Sequence, residues 1–292
     1  MADAFGKMYS RVLPQQGIHM KKIHVSVIIK FAVLILITVI MILPVYIVMM
    51  MGTYKSEKLF LGIPWAPGDY LLTNVKTVIN HGFFQSLWNS AVISCGSVVL
   101  TLLCASLCGF ALAKYEFRLK RLISMLIIVL LVIPTEISVV GYVREMRNMH
   151  LIASYFPMIL IWGANPFCAF YMESFIADSF PTEIMESARI DGCSEPGIFS
   201  RIALPMIRPG LTTVVILIFL WSWNSYMLPL IIINDDARYT IPLFVSTLSS
   251  AFTRDYGAIM CALAMSILPM IVVFTTFSKN FIESISVGAV KG

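Results

Sequence analysis

Charge is what this sequence has least of. Only 13% of its 292 residues are Asp, Glu, Lys or Arg, against 59% hydrophobic ones; soluble domains carry about 25% charged residues. So little charge cannot cover the surface around that much apolar side chain, and a mean hydropathy of +0.86 points the same way. The shortage excludes a disordered chain and argues against a soluble enzyme. Cysteine is also sparse: none of Cys95, Cys104, Cys108, Cys168, Cys193 and Cys261 forms a CxxC pair. Neither a disulfide framework nor a zinc site is expected, and these residues read as small packing groups. His19, His24, His81 and His150 are dispersed, so no metal constellation is foreseen. There is no GxxxxGK[ST] phosphate loop, so this chain is not expected to hydrolyse nucleotide itself. The net charge of +5 is small and is not spread like a nucleic-acid footprint. No internal repeat and no nucleophile–base set stands out.

What is present is a series of long apolar runs. Six are read as spans: Val27–Met50, Asn89–Ala113, Leu122–Tyr142, Ile152–Phe175, Leu211–Ile233 and Tyr256–Phe277. As helices rising about 1.5 Å per residue, each can cross about 30 Å of hydrocarbon. The runs are continuous rather than alternating, which favours helices over barrel strands. The expected fold is all-α: a polytopic membrane protein of six transmembrane helices. The first run, after Lys21, Lys22 and Lys30, is longer than a signal-peptide core and lacks a small-x-small cleavage pattern, so it reads as a retained anchor. Fourteen of the 21 Lys and Arg fall on one side if the N-terminus is cytoplasmic, Lys114 to Arg121 being the most telling short loop. Both termini are therefore expected inside. The expected layout is a cytoplasmic segment 1–26, a membrane domain 27–277 and a cytoplasmic tail 278–292.

The inner loop 177–210 is the most informative stretch. It carries the signals of two short helices. Ser179 can cap the first, with Pro181 and Glu183 in its opening turn, and Gly192 can end it in a left-handed conformation. Ser194 can cap the second, Pro196 falls in its first turn, and Pro205 ends the pattern. Ile198 with Ile202, and Phe199 with Ala203, give this helix an apolar side. Such a ridge, displaying Glu186 and Asp191, can dock into a groove of another protein or lie on lipid headgroups.

Glu186-Ser187-Ala188, three residues, Gly192, nine residues and Ile202-Ala203-Leu204-Pro205 resemble the EAA motif of ABC-importer permeases. Ser187 in place of the second alanine is the one departure. Asp191-Gly192, Asn89-Ser90, Phe110 to Phe117, Trp223-Asn224 with Pro229-Leu230, and the ending Gly288 to Gly292 are similar to the carbohydrate-uptake branch, and closest to its six-span permeases of the maltose type. The resemblance covers roughly residues 20–292.

The resemblance implies a permease subunit in a prokaryotic cell membrane that forms half of a pathway with a second permease. It also implies an ABC ATPase dimer that uses ATP and magnesium, and an extracellular solute-binding protein. No cofactor is expected on this chain. By the same resemblance Glu186, Ser187, Ala188, Asp191 and Gly192 would contact the ATPase. Ile202, Leu204 and Pro205 would anchor the loop's return, and Lys291 and Gly292 would add contacts. Candidates for the pathway are polar or aromatic groups within spans. Glu136 either lines the pathway or sits solvated near the outer interface. Asn165 either meets a sugar hydroxyl or satisfies backbone freed by Pro166. Trp221, Trp223, Asn224 and Tyr226 suit sugars, whose CH faces stack on rings, but equally suit helix packing or an interfacial belt. The outer aromatics Trp65, Tyr70, Phe83, Phe84 and Trp88 either touch a binding protein or form such a belt. The competing functions are an ABC permease for another solute class, an ion-coupled secondary transporter and an intramembrane enzyme.

Overall fold

Backbone amides that leave water for hydrocarbon must find partners within their own segment, and a helix supplies them. The computed structural model of the chain describes residues 25–152, 154–248 and 255–289, and among these every regular element is helical. The chain divides into two units, Met1–Tyr46 and Ile47–Gly292. Helix α1 (Val25–Met51) supplies all that is described of the first. The second unit contains the amphipathic α2 (Leu71–Asn80), α3 (Phe83–Lys114), α4 (Lys120–Val132), α5 (Thr135–Asn148), α6 (Phe156–Gly163) and α7 (Pro166–Ser179). It continues with α8 (Thr182–Ile190), α9 (Glu195–Met206), α10 (Arg208–Trp223), α11 (Met227–Ile232), α12 (Ile241–Thr247) and α13 (Tyr256–Ala289). The expected inner segment 1–26 lies almost wholly outside the described residues, as do Lys291 and Gly292.

Among the described residues four stretches are long and apolar enough to cross a membrane, and as many as six if each of two bent pairs counts as one. Three of the expected spans are not single rods. Between Val132 and Thr135 the helix breaks at Pro134, and the flanking segments are bent by 113°. Proline has no amide hydrogen and its ring clashes with the carbonyl four residues back, so a rod cannot run through unchanged. The fourth span breaks at Ala164-Asn165, where Pro166 restarts the helix at its first position. The fifth stops at Trp223 and resumes at Met227. The sixth runs on past Phe277 to Ala289.

Helix α3 is the central element, packed against α6, α7 and α10. Its crossing with α7 has a specific cause. A Cβ on Gly109 would lie 2.7 Å from the Met172 Cβ and 2.8 Å from the Glu173 backbone nitrogen. Only glycine permits that approach. Gly109→Val is expected to force the pair apart and cost about 1–3 kcal/mol, read as a lower melting temperature of the detergent-solubilised protein; unchanged melting would show that the crossing is not this close.

The end of the bundle away from residues 177–210 is organised by one amide. Asn89 is fully buried. Its Nδ2 donates to the carbonyls of Ala237 (2.9 Å) and Tyr239 (3.0 Å), while its Oδ1 accepts from Gln85 Nε2 and the Tyr155 hydroxyl. Beside it the Ser90 hydroxyl accepts the amide of Ile241 at the start of α12. One Asn-Ser step thus ties the head of α3 to the loop after α11 and to the residue before α6.

Candidate functional site

The ridge between α7 and α10 is made by helix-end chemistry. Ser179 does not cap α8: its hydroxyl donates back to the Phe175 carbonyl at the end of α7, and Pro181 holds the cap position. Gly192 ends α8 at φ +82°. The Gly192 amide donates to the Arg189 carbonyl and the Cys193 amide to the Ala188 carbonyl, the paired bonds of a Schellman ending. Ser194 caps α9 in extended conformation, through its backbone carbonyl rather than its hydroxyl. Pro205 does not end α9, which continues to Met206. The preceding Ile198–Ala203 turn is wound as a π-helix, and its wider ring accommodates the proline. The break comes at Ile207, where the chain bends by 76° into α10.

The two faces of the ridge differ. Met185, Ala188, Ile198 and Ala203 are buried and share one core with Met172 and Ile176 of α7, Ala105 and Phe110 of α3, and Val214 and Ile218 of α10. Glu186, Ser187, Asp191, Gly192 and Pro205 are exposed, with Ile190 87% accessible at the tip. Ile202 and Leu204 are half-buried. An open notch of about 350 Å³ lies among Glu183, Ser187, Ala188, Asp191 and Ile202. The ridge is tethered to the C-terminal end of α3. Arg189 Nε donates to Glu195 at 2.7 Å, the Tyr115 hydroxyl donates to the same carboxylate, and the guanidinium lies 5.9 Å from the Tyr115 ring centre. The Arg189 guanidinium, then the Tyr115 hydroxyl, hold the Glu195 carboxyl below its ordinary range. A depressed carboxyl adds its stability above its unfolded pKa and loses it as pH falls, so the tether is complete at neutral pH and loosens in acid.

At the far ends of α7 and α10 lies a cavity of about 860 Å³. Trp162, Asn165, Phe167, Trp221, Asn224 and Tyr226 are among the groups lining it. Trp221 stacks on Trp162 with ring centres 6.4 Å apart and meets the Phe167 edge at 5.6 Å. Asn165 Oδ1 accepts the Cys168 amide, as an N-cap, which leaves its NH₂ to the cavity. Asn224 Nδ2 donates to the Leu220 carbonyl, which leaves its oxygen. The kink role of Asn165 and its cavity role thus coexist.

Trp223 does not join them. It is 2% accessible and stacks on Phe219 in a separate core with Phe83, Phe244 and Ala258. The cavity aromatic is Trp221, two positions earlier. The signal was in the spacing: Trp221, Asn224 and Ser225 fall at i, i+3 and i+4 on one face, whereas Trp223 follows Phe219 at i+4. Glu136 belongs to α5 by its backbone, but its side chain lies outside the described residues. Among the described residues no group of three His, Cys, Asp or Glu side chains could hold a metal.

Residues 102–286 match the family described as "binding-protein-dependent transport system inner membrane component". The chain belongs to this permease family. The match runs from the C-terminal part of α3 into α13 and contains both ridge and cavity. Relatives include the arabinooligosaccharides transport system permease protein AraQ of Bacillus subtilis, 34% identical over 75% of this chain and 78% of that protein. The AraQ of Halalkalibacterium halodurans is 36% identical over 72% and 74%. The diacetylchitobiose uptake system permease protein NgcG of Streptomyces coelicolor is 30% identical over 89% and 87%. In fold the chain matches a bacterial ABC transporter involved in the import of the acidic polysaccharide alginate. That match has a TM-score of 0.76, covers 89% of this chain and 98% of that one, and shows 19% identity. The chain is therefore an inner membrane component of a binding-protein-dependent transport system, helical throughout its described elements.

Proposed function

We propose that this permease conducts a sugar or oligosaccharide across a prokaryotic cell membrane as half of a pathway completed by a second permease. Its two termini are cytoplasmic, an ABC ATPase dimer grips the ridge Thr182–Met206, and an extracellular binding protein delivers solute. ATP and magnesium act in the ATPase; this chain catalyses nothing.

One observation carries the reading. Ridge and cavity sit at opposite ends of the same two helices. Helix α7 has 14 residues and α10 has 16, or about 21 and 24 Å of rod. They begin or end at the ridge and open the cavity with Asn165 and Phe167 on one and Trp221 on the other. A shared core joins ridge to rods, so a push on the exposed edge Glu186–Asp191 turns both as levers. The cavity then changes sides as a two-state element biased by the partner's nucleotide. The substrate class rests on the sugar-uptake relatives and on indole faces beside one free amide donor and one free acceptor, which match a sugar's CH faces and hydroxyls.

The test is uptake by proteoliposomes holding the assembled importer, with arabinotriose, diacetylchitobiose, lactose and maltotriose against an amino acid and a dipeptide. Uptake of a saccharide alone is the expected result; uptake confined to the amino acid or the dipeptide would overturn the substrate class. Trp221→Ala is expected to lower saccharide uptake about threefold to tenfold, the value of one aromatic contact, with ATPase activity retained. Undiminished uptake would remove Trp221 from the pathway.

A further inference from the structure

On the face opposite the ridge, the chain between α1 and α2 forms a closed loop whose neck is built from the residues that directly follow α1. The Thr53 hydroxyl accepts the Gly68 amide at 2.6 Å and the Thr53 carbonyl accepts the Tyr70 amide at 2.9 Å. The Tyr54 hydroxyl donates to the Ala66 carbonyl. Asn74 of α2 reaches back to the carbonyls of Gly52 and Tyr54. A loop so tied at the neck holds its tip in one place. The tip is apolar and open: Phe60, Leu61, Ile63 and Trp65 are each at least 60% accessible. Four such side chains grouped on one loop need a partner, whereas scattered single ones do not.

The structure fixes the depth of this tip. The Ser56 hydroxyl donates to the Asp255 carboxylate at 2.8 Å and accepts the Gly257 amide at 3.2 Å, at the very start of α13. The Phe60 ring meets the edge of Tyr256, the first residue of α13, at 5.3 Å. From Tyr256 to Phe277, α13 is an apolar run of about 33 Å, the thickness of the hydrocarbon. Phe60 is therefore level with its boundary. The charges nearby cancel locally: Lys55 pairs with Glu57 at 2.8 Å and Lys58 with Asp69 at 3.6 Å. The loop thus has little field to steer a soluble protein, and its composition of a tryptophan, bulky aliphatics and flanking lysines suits the headgroup region.

We propose that the tip Phe60–Trp65 inserts into the interface of the bilayer, with phospholipid as its partner. It is a lateral anchor at the exit of α1 rather than a landing site for the binding protein. Insertion to about 5–10 Å is expected, as for other interfacial segments.

The test places an environment-sensitive fluorophore on Leu61→Cys in the full-length chain, in phosphatidylcholine–phosphatidylglycerol nanodiscs, with the unsubstituted protein as the labelling background. Leu61 is almost fully accessible, so the substitution leaves the fold intact. Lipid carrying a nitroxide near the glycerol end of the acyl chain, the depth at which interfacial segments sit, is expected to quench the emission strongly, while aqueous iodide has little effect. Strong iodide quenching without lipid quenching would overturn the proposal. So would a blue shift that occurs only when the binding protein is added. Neither result depends on which solute is carried, so failure here leaves the transport reading untouched.

Discussion

Gly192→Pro is expected to abolish uptake while the chain still accumulates in the membrane. Proline locks φ near −65°, whereas this position holds +82°. It also removes the amide that bonds to the Arg189 carbonyl. The turn that swings the chain from α8 into α9 is lost at a cost of about 3 kcal/mol or more, and the ridge loses its shape. The spans, built from other segments, insert as before. Glu186→Lys provides the complementary case. Glu186 is exposed and makes no contact that the core of the ridge needs, so the fold survives while the charge offered to the ATPase is reversed. Uptake, abundance in the membrane fraction and co-purification of the ATPase would be measured for both. Normal transport by both variants would refute the assignment of this ridge to energy coupling.

Asn89→Leu is expected to destabilise the end of the bundle opposite the ridge. Leucine fills a similar volume but satisfies none of the four hydrogen bonds, leaving the carbonyls of Ala237 and Tyr239 and the donors of Gln85 and Tyr155 without their partner. Gln85 and Ala237 are exposed, so water can take up their hydrogen bonds; the cost falls on the half-buried Tyr155 and Tyr239, and a loss of about 1–3 kcal/mol is foreseen. A large fall in melting temperature in detergent is the readout. Asn89→Asp separates the two halves of the network. It keeps an acceptor for Tyr155 and Gln85 but sets a carboxylate oxygen against the two carbonyls, so it too should melt early. A variant as stable as the parent would mean that water replaces the amide.

The existence and number of the apolar spans were legible because a run of about 20 uncharged residues has few other uses. Their interruptions were not. A hydropathy window averages over Pro134, Asn165-Pro166 and Asn224–Tyr226, whereas a helix feels each as a lost amide or a changed dihedral. The ridge was legible almost to the residue, because Gly192 and Pro196 act through their own backbone. The expectations at Ser179 and Pro205 failed because each depended on a neighbour. Ser179 is spent on the Phe175 carbonyl, and Pro205 is absorbed by the π-turn that ends two residues earlier at Ala203. The face of α10 was the hardest part. Trp221 and Trp223 are indistinguishable as residue types; the i+4 spacing of Phe219 and Trp223 hints at the division, and their packing shows which indole is left for the cavity. The role of Asn89 as a hub was out of reach, since its partners lie as far as 150 positions away in the chain.

The contact at Gly109 has a mechanical corollary. Where main chain meets main chain, with no side chain between to bend or hop rotamers, neither rod can slip or roll over the other without a clash. Helices α3 and α7 therefore serve as a fixed axle. Whatever flexing accompanies a transport cycle is expected at joints lacking such a seam, among them the elbow at Pro134 with its 113° corner.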